Sequence, residues 1–236
     1  MLLSRLKLPV EMLLQPDEIT CGPTCLHAIY RYWGRNEPLQ DVIERTAKLE
    51  RGGTVAVFLA CDALRQGFQA TIYTFNLMVF DPSWFGGKVD IGERLLLQRT
   101  EKIHDPHVQE VTASYVEFLR LGGHLRLTDL SRYLLLGILR RLRPIITGLS
   151  STYLYRATRE YGPHDEPDDI RGTPGGHFVV LAGYNRPERT VLVADPYGDK
   201  RDYWLSIDRA VGAILLGIVT HDANLLVIQP QRGQLS

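Results

Sequence analysis

One stretch near the start of the chain decides the fold: Gln15-Pro16-Asp17-Glu18-Ile19-Thr20-Cys21-Gly22-Pro23-Thr24-Cys25. Its first half is a polar loop, and Thr20 is a residue type that caps a helix through its hydroxyl. Pro23 falls in the first helical turn, where its missing N–H costs nothing because those donors have no acceptor within the helix. Large apolar residues follow at helical spacing, at Leu26, Ile29, Tyr30 and Trp33, before Gly34 supplies a stop. We therefore predict a helix that opens on Cys21.

The predicted helix places the Cys21 thiol where it can act as a nucleophile. Backbone N–H groups and the positive end of the helix dipole at that position favour a thiolate over a thiol. Gln15, six residues upstream, carries an amide that can donate to a developing oxyanion together with the backbone N–H of Cys21. Cys25 lies one turn deeper in the helix, and we predict that it packs in the core.

Composition narrows the class of protein and of partner. A chain of 236 residues is long enough for one large domain or two small ones. Its 27 basic residues balance 27 acidic ones, which argues against nucleic acid or an anionic membrane as the main partner, because both need a basic surface. The longest apolar run, Ala210 to Val219, is far shorter than the ~20 residues that a membrane span needs.

The cysteines and the N-terminal segment indicate the compartment. Three cysteines, Cys21, Cys25 and Cys61, do not make a disulfide framework, which favours a reducing environment. The segment from Met1 to Leu14 is apolar but interrupted by charged residues and a proline, so it is not a signal peptide. We expect a soluble, cytoplasmic protein.

The order of the predicted elements sets the fold class. The front of the chain reads as helices and the back as strands, with one strand between the third and fourth helices. Beyond the cysteine helix, the predicted helices are one from Leu39 to near Gly52-Gly53, one capped by Thr54 and closed by Gly67, then Ile91–Ile103, Val108–Leu121, Leu130–Leu142 (capped by Thr128 or Asp129) and one capped by Ser206. The predicted strands are Gln69–Phe75, Pro144–Leu149, His177–Tyr184, Thr190–Asp195 and Leu225–Ile228. We predict one α+β domain over residues 1–236, a helical lobe packed on an antiparallel sheet, with a helical insert at about 35–143.

A base and its orienter are found on two of the predicted strands. His177 begins a strand of apolar residues after Gly175-Gly176, a pair that permits close backbone approach. Asp195 ends the next strand. If the two strands pair as a hairpin, the first residue of one lies near the last of the other, so one ring nitrogen of His177 meets the carboxylate. The second nitrogen is then left for a thiol, as a nucleophilic site requires.

Three blocks of sequence together resemble a family. Gln15 followed by Cys21-Gly22, then Gly176-His177-Phe178-Val179-Val180-Leu181, then Ala194-Asp195-Pro196-Tyr197-Gly198 are similar to the papain-like C39 cysteine peptidases, which include domains that cleave leader peptides after a double glycine. The resemblance implies that Gln15 is the oxyanion donor, Cys21 the nucleophile, His177 the general base and acid, and Asp195 the orienter. Leader-cleaving relatives usually have an acidic residue where this sequence has Thr20. We therefore take the catalytic chemistry from the resemblance, but not the substrate.

These residues predict a cysteine peptidase or amidase that cleaves a peptide or other amide bond and needs no cofactor and no metal. Two other functions stay open: a transpeptidase that passes the acyl group to an amine, and a binding module that has lost turnover. His221-Asp222 is a rival base pair, and zinc on Cys21, Cys25 and a histidine is a weaker alternative.

Overall fold

The computed structural model describes residues 3–50, 52–199, 201–217 and 223–231. Its helices are α1 (Cys21–Tyr32), α2 (Leu39–Arg45), α3 (Ala56–Arg65), α4 (Ile91–Glu101), α5 (Pro106–Arg120), α6 (Arg132–Leu139), α7 (Ser151–Tyr155) and α8 (Ile207–Leu216). Its strands are β1 (Arg5–Lys7), β2 (Phe68–Thr74), β3 (His124–Leu127), β4 (Ile145–Ser150), β5 (Glu160–Tyr161), β6 (Glu166–Pro167), β7 (Gly176–Asn185), β8 (Thr190–Ala194), β9 (Asp202–Ser206) and β10 (Asn224–Pro230). A short 3-10 helix covers Pro82–Gly86.

The strands form one large sheet that runs through both halves of the chain. Within the described residues its order is β3-β2-β10-β4-β7-β8-β9, with β1 also paired to β7, and β5 pairs β6 separately. Every pair is antiparallel except β2 with β3. The predicted α+β class is confirmed. Strands β2 and β3 lie within the predicted helical insert at about 35–143. The insert therefore contributes two strands to the large sheet in addition to its helices.

Strand β7 lies inside the sheet, between β4 and β8, and is buried along almost its whole length. All of its positions after Gly176 are buried, which explains why its sequence is a continuous apolar run instead of an alternating one. On one side it pairs β4, with His177 opposite Leu149, and on the other it pairs β8, with Val180 opposite Ala194. The hairpin predicted between β7 and β8 is therefore present.

Helix α1 begins and ends where the sequence predicts. It opens on Cys21, buries every residue to Tyr30, and is followed by Gly34 at φ +85°, a conformation that glycine adopts without steric cost. The predicted capping hydrogen bond from Thr20 to the helix is wrong. Thr20 occupies the cap position, but its hydroxyl donates to the carbonyl of Asp17 at 3.2 Å and accepts from the Asp17 N–H at 3.4 Å. Its side chain therefore closes the preceding turn.

Three other helix boundaries differ from the prediction. Helix α2 ends at Arg45 because Thr46 turns to extended backbone, well before Gly52-Gly53. Helix α3 follows Val55, and the Thr54 hydroxyl donates instead to the Ala47 carbonyl at 3.1 Å. Helix α6 is capped by Ser131, whose hydroxyl accepts from the Leu134 N–H, so neither Thr128 nor Asp129 caps it.

Five short strands of the described chain, β1, β3, β5, β6 and β9, were not predicted from the sequence. Each has two to five residues, all exposed or only partly buried, so none contains the longer run of apolar or alternating residues by which a strand is recognised. Among the described residues, no helix combines the length and the apolar character that crossing a membrane requires.

Candidate active site

The Cys21 thiol lies at the N-terminus of α1, where the helix meets β7. Its side chain is 8% exposed. The backbone N–H groups of the first helical turn have no acceptor within the helix. Gly22 permits the close approach, since a Cβ at that position would lie 2.3 Å from Cγ2 of Thr54 and 3.4 Å from the ring of Phe178. The helix therefore packs against β7 on its glycine side while the cysteine faces the site.

The imidazole of His177 lies between the thiol and a carboxylate. Its Nε2 is 2.9 Å from Oδ1 of Asp195, and Cys21 lies near enough to contribute to the raised pKa of the ring. The structure thus brings together Cys21, His177 and Asp195, which come from α1, the start of β7 and the end of β8. His177 is 8% exposed and Asp195 is 1% exposed, so both are largely withdrawn from water.

The carboxylate of Asp195 accepts four hydrogen bonds. Oδ1 accepts from His177 and from the backbone N–H of Tyr197 at 3.0 Å. Oδ2 accepts from the hydroxyl of Tyr155 and from the hydroxyl of Tyr203, each at 2.8 Å. A carboxylate with this many donors is well stabilised in its charged form despite its burial.

The electrostatics of the site favour an ionised pair. Burial by itself lowers the pKa of His177, but the hydrogen bonds and negative charge of Asp195 and Cys21 outweigh it and raise the pKa to about 9. Burial raises the pKa of Asp195, whereas the hydrogen bond and charge of His177 and the donors Tyr197 and Tyr203 lower it, and the net direction is downward. At neutral pH His177 is therefore an imidazolium facing a carboxylate.

The other two cysteines lie in the core. Cys25 is fully buried and its thiol donates to the carbonyl of Phe178 at 3.4 Å, as the predicted packing role requires. Burial, followed by the charges of Cys21 and Asp195, raises its pKa well above the usual value. Burial likewise raises the pKa of Cys61 to about 12, and its thiol faces the carbonyl of Ser114.

Gln15 is held beside the Asp195 loop by its backbone. Its N–H donates to the carbonyl of Pro196 at 2.9 Å, and its side-chain amide donates to the carbonyl of Asp17 at 2.7 Å. The same Asp17 carbonyl accepts the Thr20 hydroxyl, so Gln15 is tied to the turn that leads into α1. The structure thus fixes the loop that carries the predicted oxyanion donor, while its carboxamide is bonded within that loop.

Sequence reasoning misses the two tyrosines on Asp195. Tyr155 ends α7 and is 40 positions from Asp195, and Tyr203 lies on the unpredicted strand β9. Tyrosines are common in half-buried positions, and nothing in the pattern around these two marks them as partners of a carboxylate. Only the register of β9 on β8, with Tyr203 opposite Val193, brings one of them to the end of β8.

Two rival interpretations gain no support. His221-Asp222 lies outside the described residues. Among the residues that the structure describes, no group of three or more histidine, cysteine, aspartate or glutamate side chains is arranged to hold a metal ion, so the zinc alternative has no third ligand.

Comparison with protein families finds a match to part of the chain. Residues 98–211 match the Peptidase_C39 like family, a range that contains His177 and Asp195 and follows Gln15 and Cys21. A comparison with curated proteins finds no match.

Several solved structures resemble the chain in outline. A double glycine motif protease from an AMS/PCAT transporter, in complex with the leader peptide, is 15% identical, covers 95% of this chain and 94% of its own, and has a TM-score of 0.46. A C39-like peptidase from Bacillus anthracis is 14% identical, with 96% and 98% covered and a TM-score of 0.49. Xylellain, a cysteine protease from Xylella fastidiosa, is 15% identical, with 98% and 88% covered and a TM-score of 0.47. The resemblance to the C39 peptidases predicted from the sequence is confirmed by the family match over residues 98–211.

Proposed function

We propose that this protein cleaves a peptide or other amide bond with Cys21 as nucleophile, His177 as general base and acid, Asp195 as orienter and Gln15 as an oxyanion donor. The observation that carries the proposal is the position of the His177 ring, 2.9 Å from the Asp195 carboxylate and near enough to Cys21 for that thiol to contribute to its raised pKa. A nucleophile, a base and an orienter in that order form the arrangement that thiol-dependent acyl transfer uses.

The reaction follows from the charges of these groups. The thiolate of Cys21 attacks the carbonyl carbon, and the resulting oxyanion accepts hydrogen bonds from the backbone N–H of Cys21 and the amide of Gln15. The imidazolium of His177 protonates the leaving amine, so that a thioester remains on Cys21. Water then attacks the thioester while neutral His177 takes its proton, and expulsion of the Cys21 thiolate releases the acid and restores the thiolate–imidazolium pair.

The leaving-group side of the site is aromatic. Because His177 delivers the proton to the leaving amine, that part of the substrate lies beside the imidazole. The rings of Tyr155 and Tyr197 stand there, with centroids 6.0 Å and 6.2 Å from that of His177 and 6.0 Å from each other. They are 38% and 57% exposed, so an apolar residue after the scissile bond has surface to cover.

A reducing location supports the same chemistry. All three cysteines are free thiols. A nucleophilic thiol stays active where disulfides do not form, and we therefore place the protein in the cytoplasm.

A peptide library tests the proposal. The protein is incubated with a proteome-derived peptide mixture, and the products are identified by mass spectrometry beside a Cys21→Ala control whose fold is checked by circular dichroism. We expect new termini that depend on Cys21, with apolar residues enriched after the cut. An added amine acceptor distinguishes hydrolysis from transpeptidation, since aminolysis attaches the amine to the new C-terminus. Identical peptide populations with the wild-type protein and with the Cys21→Ala variant would refute the proposed cleavage.

A further inference from the structure

The second oxygen of Asp195 has no role in the proposed reaction, yet it accepts as many hydrogen bonds as the first, which is bonded to His177 and to the Tyr197 N–H. Oδ1 accounts for the bond to His177. Oδ2 faces away from the imidazole and accepts two hydroxyl hydrogen bonds, from Tyr155 and Tyr203, both at 2.8 Å. Two donors on one oxygen leave the carboxylate little freedom to rotate about its Cβ–Cγ bond.

The two tyrosines reach Oδ2 from different elements, each fixed by its own contacts. Tyr203 lies on β9, opposite Val193 of β8, so its position follows the register of the sheet. Tyr155 ends α7, a helix joined to the residues before His177 by two bonds: Ser151 N–H to the Gly175 carbonyl at 3.0 Å, and Gly175 N–H to the Thr152 hydroxyl at 2.8 Å. A shift of either element would therefore be felt at Asp195.

We propose that Tyr155 and Tyr203 are positioning residues of the site: their hydroxyls hold Oδ2 of Asp195 and thereby keep Oδ1 on the imidazole of His177. The inference rests on the proposed function, because it assigns these tyrosines to the dyad of Cys21 and His177. Neither tyrosine is a catalytic residue in this arrangement, since each acts through the carboxylate.

The charge state of the carboxylate provides the readout. The titratable groups that the described residues place against Asp195 are His177, Cys21, Cys25, Tyr155 and Tyr203. Burial, and then Asp195 itself, raises the pKa of both tyrosines, so they stay protonated donors over the whole neutral and acid range. Since a hydroxyl donor stabilises the ionised carboxylate, removing one raises the pKa of Asp195. During acidification, Asp195 is then protonated at a higher pH than in the wild type, and the imidazolium of His177 loses the negative charge that faces it.

The experiment is iodoacetamide labelling of Cys21 as a function of pH, read by mass spectrometry in the full chain, and it needs no substrate. We compare the wild type with Tyr155→Phe, Tyr203→Phe and the double variant. The double variant is expected to move the acid limb of the labelling profile to higher pH by about one unit and to label about tenfold more slowly at pH 5, since a shift of one pKa unit changes the ionised fraction about tenfold on the acid limb. Each single variant is expected to show a smaller shift of the same sign.

Two matched variants separate positioning from general stability. Tyr184→Phe removes a tyrosine hydroxyl that donates to the Leu3 carbonyl from the far end of β7, and Tyr153→Phe changes the same helix as Tyr155. Both are expected to leave the acid limb in place. If the double variant fails to fold, the folded single variants test the proposal through the same shift of the acid limb to higher pH.

The outcomes distinguish the two proposals. Wild-type labelling profiles in the folded Tyr155→Phe and Tyr203→Phe variants would overturn the positioning role. His177→Ala serves as the separate test of the dyad, since it is expected to slow Cys21 labelling at neutral pH. If Cys21 in the His177→Ala variant is labelled as fast as in the wild type, His177 is not the general base and the proposed function is wrong. Loss of reactivity in His177→Ala with no shift in the tyrosine variants would refute only the positioning role.

Discussion

Gly22 permits the close approach of Thr54, which precedes α3, and Gly22→Ala is the substitution whose effect can best be worked out from the structure. A Cβ built on Gly22 lies 2.3 Å from Cγ2 of Thr54, with Phe178 and Leu59 at 3.4 Å and 3.5 Å. The first distance is a hard overlap, whereas the other two are ordinary contacts. Thr54 has to move, and its hydroxyl is bonded to the Ala47 carbonyl.

Two opposing effects set the change in the free energy of unfolding that Gly22→Ala causes. Overpacking of this kind costs about 1–3 kcal/mol. Alanine in place of glycine within a helix returns about 0.5–1 kcal/mol. We therefore expect Gly22→Ala to lower the free energy of unfolding by about 1 kcal/mol, because the steric cost exceeds the gain in helix propensity. Because the displaced segment lies next to the thiol, Cys21 should also be labelled more slowly.

A double-mutant cycle isolates the overlap. Thr54→Ser deletes the offending methyl group and keeps the hydroxyl that bonds Ala47. The Gly22→Ala/Thr54→Ser variant should therefore recover the loss, giving a coupling of about 1 kcal/mol in urea unfolding. Gly137→Ala in α6 is the matched control, because a Cβ there meets no atom within 4 Å, and it should stabilise the protein by about 0.5–1 kcal/mol. A Gly22→Ala variant as stable as Gly137→Ala, or one that Thr54→Ser does not rescue, would refute the reasoning.

Three more measurements separate the electrostatics of the site from the stability of the fold. The pKa of His177 is raised from 6.5 to about 9, so its protonation should contribute about 3 kcal/mol to the free energy of unfolding. This contribution should be fully present below pH 6.5 and lost as the pH rises through 9. Urea unfolding of the wild type should show the decline, and His177→Gln should flatten it. Asp195→Asn should lower the pKa of His177, measured by a proton NMR titration of its imidazole, because it removes the facing charge. Asp62, buried between Arg45 at 2.8 Å and the Tyr30 hydroxyl at 2.7 Å, lies in a separate network, so Asp62→Ala should cost about 3 kcal/mol in urea unfolding and leave Cys21 labelling in the folded state unchanged.

The parts of the site that local sequence determines could be predicted. The helix that opens on Cys21 follows from a short polar loop, a proline in the first turn and apolar residues at helical spacing. The meeting of His177 with Asp195 follows from two apolar runs joined by a short turn, since such runs pair as a hairpin. Both predictions depend on contacts between residues fewer than twenty positions apart.

What could not be predicted depends on elements without a local signal. Tyr203 reaches Asp195 only because the exposed edge strand β9 adds to β8, and Tyr155 only because the five-residue helix α7 turns back toward Gly175. The Thr20 hydroxyl was open to two uses, capping α1 or closing the turn at Asp17, and the composition of the loop does not choose between them. Side chains of this type form either bond at similar cost, so the surrounding packing decides.

Helix α1 is tied to the strand that carries His177 through Phe178 of β7. Cys25 donates to the carbonyl of Phe178, and the ring of Phe178 lies at ordinary contact distance from a Cβ built on Gly22. Phe178 immediately follows His177 in a strand, so its side chain points to the opposite face. The bond from Cys25 therefore holds the backbone beside the imidazole to the same helix that opens on Cys21. In the segment Cys21-Gly22-Pro23-Thr24-Cys25 we propose that the first cysteine carries the chemistry, while the second anchors the helix to the backbone next to His177.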